Sequence, residues 1–493
     1  MATVRKVFPC LLIFISFILT ACEPQAVLSG GVARQPTQTP TATQPLVTQI
    51  PTRPAYQPGE LVDYTVQTGD TLPALAARFN TTEPKIRAAN PVLPAQVTTL
   101  PVGMPMKIPI YYQSLWGSSY QILPDSLFVD GPDQVGFDIT KFIGQQPGWL
   151  KDYHEYAFGG TRSASEIIDY IAISYSVSPR LLLALMDYQN GALTLPEEAA
   201  EFKDYPLGFI DYAHAGLYMQ LNWAANFLND KFYTYRLGKL TSFEHLDKTL
   251  ERPDPWQNAA TIAIQLYFAS LYQTPEYQKA SGPYGVARTY RDLFGDPLAL
   301  KNDNIPGSLT QPILRLPYAD EKTWVLTGGP HAGWGDEQPF SALDFAPPLN
   351  ASGGCVPTDE WATAVADGTI VRVDDGVAVL DLDGDNDERT GWVIFYLHLA
   401  NEGKAQLGQK LKAGDPIGHP SCEGGHATGT HVHIVRKYNG EWIQAGSGVL
   451  PFNLDGWVAA DGAAPYLGTL TKAGKRVRAC TCSDSASFVK AGE

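Results

Sequence analysis

The stretch GTHVHI, residues 429–434, constrains the C-terminal third of the chain more than any other short run. Apolar and polar residues alternate in it, as in a half-buried strand. His431 and His433 stand two apart, so on a strand both imidazoles leave the same face. YLHL, residues 396–399, places His398 on a second strand with Tyr396 on its face. GGPHAGWGDEQPFSALDFAPP, residues 328–348, supplies His331 and, thirteen positions later, Asp344. A catalytic zinc site takes three protein ligands from His, Asp, Glu or Cys and leaves one position for water. These residues are enough to build one, provided the strands lie side by side.

The rest of the chain sets the frame. At 493 residues it is too long for one ordinary core and implies two to four domains. A formal charge of −15 argues against nonspecific nucleic-acid binding, which needs Lys and Arg on phosphates. Residues 1–22 read as a signal segment: Arg5 and Lys6, then the apolar run FPCLLIFISFILTAC. Its end, LTAC, resembles a bacterial lipobox, which makes Cys22 the lipidated first residue and puts the protein on the outer face of a membrane. Residues 23–60, rich in Pro, Thr, Gln and Ala, read as an extended tether. Cys355, Cys422, Cys480 and Cys482 then remain, an even number in an oxidising compartment. Cys355 with Cys422 is the preferred disulfide, with Cys480–Cys482 a local pair or a site for outside partners. Spacing alone does not settle the connectivity.

Residues 61–112 form a small unit. YTV starts a strand, Thr68 or Asp70 can cap a helix carrying Leu72, Leu75, Ala76 and Phe79, Thr82 can cap a second helix, and LPVGMPMKIP returns as a strand. Over nearly its full length the unit resembles the LysM module, through Tyr64, Val66, Gly69, Asp70, Thr71, Leu72, Asn90, Pro91, Leu100, Gly103 and Ile108. That resemblance implies binding to N-acetylglucosamine-containing glycan such as peptidoglycan. The GDTL turn and the loop after the second helix would form the groove, with Gly69, Asp70, Thr71, Leu72, Asn90 and Pro91 as glycan-binding residues.

Residues 133–310 are helical and aromatic-rich. Ser163 and Glu166 have capping-box spacing, and Ser178 and Pro179 open a helix with Leu182, Leu185, Met186 and Gln189 on one face. Further helices are expected in 212–230 and 256–273. The pattern faintly resembles lysozyme-like transglycosylases, but Gln189 and Asn190 stand where a catalytic Glu–Ser pair would be. Gln cannot protonate a glycosidic oxygen. The segment is therefore expected to be a degenerate, glycan-binding or spacer domain.

From 313 to 470 the sequence turns to strands: GTIVRVDDGVAVLDLDG, GWVIFYLHL, KLKAGDPIGHP and GTHVHIVRKYNGEWI predict a mostly antiparallel β domain, with 471–493 as a tail. The order of His331, Asp344 in ALDFAPP, VADGTIVRV, His398, LKAGDPIG and the H-x-H pair resembles the lysostaphin and LytM-type zinc peptidoglycan endopeptidases, metallopeptidase family twenty-three. Most of that family separate the first His and the Asp by four positions. The thirteen-residue interval and SALDF resemble its β-lytic branch. The family glutamate after H-x-H is absent, with Arg436 nearby. The resemblance implies that His331, Asp344 and His433 bind Zn²⁺, while His398 and His431 act on the attacking water and the oxyanion. Asp381, Asp383, Asp385 and Asp387 alternate as in a calcium loop, although Gly384 and Trp392 do not fall where an EF-hand wants Gly and Glu. The expected protein is thus a lipid-anchored zinc endopeptidase acting on peptidoglycan, with Ca²⁺ as a second candidate cation. The alternative is an inactive relative serving as an adaptor or amidase activator.

Overall fold

A computed structural model describes residues 55–111, 115–299, 303–348, 354–482 and 484–492. The signal segment, Cys22 and nearly all of the tether lie outside the described residues. Among the described residues, no helix is long and apolar enough to cross a membrane.

The first unit has the expected order: strand Glu60–Thr65, helices Leu72–Arg78 and Glu83–Ala89, and strand Pro105–Ile110, the two strands antiparallel. Leu72, Leu75, Phe79 and Ile86 fill its core against Tyr64, Leu100 and Ile108. The first helix is capped by Thr71, whose hydroxyl accepts from the Ala74 amide, not by Thr68 or Asp70. Asp70 is instead buried, accepting from the Tyr64 hydroxyl at 2.6 Å and from Arg78 at 2.8 Å. Asn90 is also turned inward and bridges the second helix to the last strand through Ile86 and Lys107.

The middle of the chain is helical: Ile139–Gly144, Ala164–Tyr175, Pro179–Asn190, Leu217–Arg236, Ala259–Leu271, Thr274–Ser281 and Val286–Phe294. Ser163 and Glu166 make the full capping box, and Ser178 caps with Pro179 at the first helical position. Leu182, Leu185, Met186 and Gln189 all face inward. Ala259–Leu271 is buried almost all round, which is why its sequence shows little amphipathic period. Gln189 does not open onto a cleft. Its amide donates to the Leu207 carbonyl, and its oxygen accepts from the Tyr272 hydroxyl.

The C-terminal part is an antiparallel sheet ordered Lys410–Leu411, Gly368–Asp374, Val377–Asp381, Trp392–Leu397, Val432–Tyr438, Ala342–Ala346, Thr323–His331 and Phe488–Lys490, with Glu441–Trp442 also pairing Val432–Tyr438. A smaller sheet holds Asn453–Leu454, Trp457–Asp461, Gly468–Lys472 and Lys475–Arg478. Residues 471–493 are therefore not a tail: Val489 pairs with Trp324 at the sheet edge. Alternation divides the large sheet. Ile394, Tyr396 and Ile434 belong to the β core, whereas Val393, Phe395, Leu397, Val435 and Ala342 pack into the same cluster as the helices.

Arg236, at the end of Leu217–Arg236, ties three regions together. It lies 3.0 Å from Asp125 and 3.1 Å from Glu441 on the sheet, and its side chain rests where a Cβ on Gly69 would stand. Burial pushes Glu441 up to about 7, with Arg236 pulling the other way. A carboxyl whose pKa is raised by folding stabilises the fold at low pH and loses that contribution as pH rises through the folded value. Glu441→Gln is therefore expected to flatten the fall in stability between pH 5 and pH 8 by about 2 kcal/mol. Urea unfolding at the two pH values measures it.

Candidate metal centre

The site follows from strand register. Asp344 and His433 are direct cross-strand partners, so their side chains share a face. His331 reaches that face through bulges. The strand Thr323–His331 pairs Leu326 with Phe345, Gly328 with Asp344 and His331 with Ala342, so it gains an extra residue twice. Without the bulge between Gly328 and His331, His331 would point to the opposite side. A Cβ on Gly328 would lie 2.3 Å from Asp344 Oδ2, so only glycine leaves room for the carboxylate.

Three ligand atoms converge. His331 Nε2 is 3.3 Å from Asp344 Oδ1, His433 Nδ1 is 3.2 Å from the same oxygen, and the two nitrogens are 3.1 Å apart. Tetrahedral ligands at about 2.0–2.1 Å from zinc are about 3.3 Å from one another, so the spacing fits one cation. The tautomers fit too. His331 Nδ1 lies 2.8 Å from the Gly329 carbonyl and His433 Nε2 lies 3.1 Å from the Gly333 carbonyl. Those ring nitrogens must carry the hydrogens, which leaves lone pairs on both converging nitrogens. Asp344 Oδ1 is buried and has no hydrogen-bond donor of its own. Lone pairs this close need a cation between them.

His398 and His431 stand beside this trio, with ring centroids 4.6 Å apart and His431 Nε2 3.7 Å from Asp344 Oδ1. Each gives its Nδ1 hydrogen to a loop carbonyl, His398 to Glu423 at 2.9 Å and His431 to Gly429 at 2.7 Å. Their Nε2 atoms are therefore acceptors. His398 takes a left-handed backbone (φ 62°) as it leaves the strand Trp392–Leu397, so its direction is not that of a strand residue. Burial, helped by His431 and His433, pushes His398 down to about 3. Burial opposes ionisation of Asp344, but His331 and His431 outweigh it and hold the carboxyl well below its usual range. Burial also lowers His433, whereas Asp344 overcomes burial at His331 and raises it.

The flanking parts sharpen the picture. Cys355 and Cys422 form a disulfide, Cα–Cα 5.7 Å, and Cys480 pairs with Cys482. Cys422 directly precedes Glu423, so the first bridge anchors the loop that orients both His398 and His431. The ring of Tyr466 stacks on His331 at 4.1 Å. Sequence reading missed Tyr466 and the carbonyl collar, because a backbone acceptor has no residue-type signature; GGPH, with its paired glycines, was the one available hint. Asp381, Asp383 and Asp385 lie together at a hairpin tip, but Asp387 leaves the expected set. Arg389 takes both its oxygens at 2.7 Å. Of the expected glycan residues, Gly69, Asp70, Leu72 and Asn90 are buried, Thr71 is half-buried and Pro91 is exposed.

A His–Asp–His trio flanked by two further imidazoles, on an antiparallel sheet, is a donor set that could hold a metal ion. Comparison with known proteins narrows the class. The family model for the LasA N-terminal domain matches residues 121–306 and that for the LysM domain matches 64–109. Protease LasA from two strains of Pseudomonas aeruginosa is 25% and 24% identical over 339 residues, covering 65% of this chain and 74% of LasA. Among solved structures, the M23 metalloprotease pseudoalterin is 24% identical, covering 34% of this chain and 96% of that one, with a TM-score of 0.29. The catalytic domain of lysostaphin from Staphylococcus simulans is 24% identical, covering 24% of this chain and 81% of that one, with a TM-score of 0.17. The chain thus carries a LysM domain and a LasA N-terminal domain and is similar over 65% of its length to Protease LasA, which supports a peptidase. The helical stretch matches the LasA N-terminal domain.

Two variants test the geometry. Gly328→Ala is expected to cut bound-metal stoichiometry, measured by atomic emission, to below half. Cys355→Ser with Cys422→Ser is expected to keep the metal but lower kcat about tenfold, since a positioning shell of this kind is worth 10–100-fold.

Proposed function

We propose that this protein is a zinc-dependent endopeptidase that hydrolyses peptide bonds in bacterial peptidoglycan, directed to glycan by its LysM module. The convergence of His331 Nε2, Asp344 Oδ1 and His433 Nδ1 within 3.3 Å carries this reading. Zinc held there supplies Lewis acidity toward the scissile carbonyl and lowers the pKa of water to about 7. The chain's own residues do the rest. Of His398 and His431, both with acceptor Nε2 atoms, one takes the proton from the attacking water. The other, once protonated, donates to the oxygen on which charge develops. The carbonyls of Glu423 and Gly429 keep both rings in the tautomer this needs.

LysM binding would raise the local concentration of wall peptide around the peptidase. The reading places the protein outside the cytoplasm, held at the membrane through Cys22. Mass spectrometry of muropeptides after digestion of purified peptidoglycan tests the activity and identifies the bond cut. His398→Ala is expected to retain zinc and lose at least about 100-fold in kcat, while Asp344→Ala loses zinc as well. Full wall-binding function with equal indifference to both substitutions would instead mark the chain as a binding adaptor.

A further inference from the structure

We propose that residues Ile305–Leu309 are a built-in occupant of the LysM groove, so that glycan and this segment bind the module in turn and never together. This rests on the reading of the module as a glycan binder. The two walls expected for the groove are the turn at Gly69–Leu72 and the loop that follows the second helix. They are joined by a bond from the Leu100 amide to the Asp70 carbonyl at 2.9 Å. The segment crosses both. Directly before the first wall, the Thr68 hydroxyl accepts from the Ile305 amide at 3.0 Å. At the second, Thr98 donates to the Leu309 carbonyl at 2.8 Å and Thr99 to the Pro306 carbonyl at 2.6 Å. The Ser308 amide returns a bond to the Thr99 carbonyl at 2.8 Å.

The contact is close as well as polar. Ile305 and Leu309 are 3% and 6% exposed. A Cβ on Gly307 would lie 2.6 Å from Pro101 Cα, so the segment presses its backbone against the loop where a bulkier residue could not fit. Hydroxyls that a sugar could engage are spent on a peptide backbone. The same segment continues through Asn304 to Asn439 at the rim of the peptidase sheet, Asn304 donating at 3.1 Å and Asn439 at 2.8 Å. Displacing it would therefore loosen the module's hold on the rest of the chain.

The test uses the full chain and N-acetylchitohexaose as probe. Gly307→Val introduces the Cβ clash. Ser308→Pro removes the amide bond and forbids the left-handed backbone found there (φ 56°). Calorimetry is expected to show each variant binding the hexaose at least about tenfold more tightly than the parent, the signature of removing a competing conformation. In the parent, hydrogen exchange at Ser308 and Leu309 should speed up on adding the hexaose. Equal affinity in parent and variants, with unchanged exchange at these amides, overturns the proposal but leaves glycan binding standing. If neither variant binds although the Leu309 amide exchanges freely in both, the proposal and the glycan reading both fall.

Discussion

Two imidazole lone pairs and a carboxylate oxygen, mutually 3.1–3.3 Å apart in a buried place, form an arrangement that the polypeptide cannot stabilise by itself. With the neutral rings donating to the Gly329 and Gly333 carbonyls, no ring hydrogen is left to lie between them. The surrounding structure is organised to hold that electron-rich point: Gly328 makes space for Asp344, bulges rotate His331 inward, and four backbone carbonyls fix four ring tautomers. An electrostatic requirement of this kind constrains more of the domain than its hydrophobic core does. Core volume can be refilled by alternative side chains, whereas an aligned set of lone pairs cannot be relaxed by small shifts.

Much of the centre was legible in the chain. H-x-H on an alternating segment commits two rings to one face, and the order of His331, Asp344 and His398 adds a family-level pattern. Both LysM helices and the caps at Ser163 and Ser178 follow from local chemistry that does not depend on distant contacts. Other features depended on partners far away in sequence. Asp70 looked like a helix cap, yet Arg78 and Tyr64 draw it into the interior. The strand at Phe488–Lys490 is too short to signal itself and exists because Thr323–His331 offers an open edge. Asp387 fits an alternating cation loop by spacing, but Arg389 two residues on claims its charge. Local periodicity cannot reveal which of two competing partners wins.

The division of the sheet's faces matters for access. Val435 and Ala342 have the same parity as His433 and Asp344, and both pack into the helical cluster. The helices therefore cover the side of the sheet from which the ligands project. His331, Asp344, His398 and His433 are each no more than 5% exposed. The trio therefore lies on the face of the sheet that the helices pack against, and not on an open edge.

Arg236 gives this packing an unusual robustness. Its bonds to Asp125 and Glu441, together with those from the Trp442 amide to the Tyr233 hydroxyl and from Ser176 to the Gly440 carbonyl, run between the helices and the sheet without using the connecting polypeptide. A single hydrolytic nick at Gln311–Ile313 would leave two fragments clasped by their own side chains, migrating as one particle under native conditions and separating only in denaturant. Covalent integrity and physical integrity are, in this molecule, different properties.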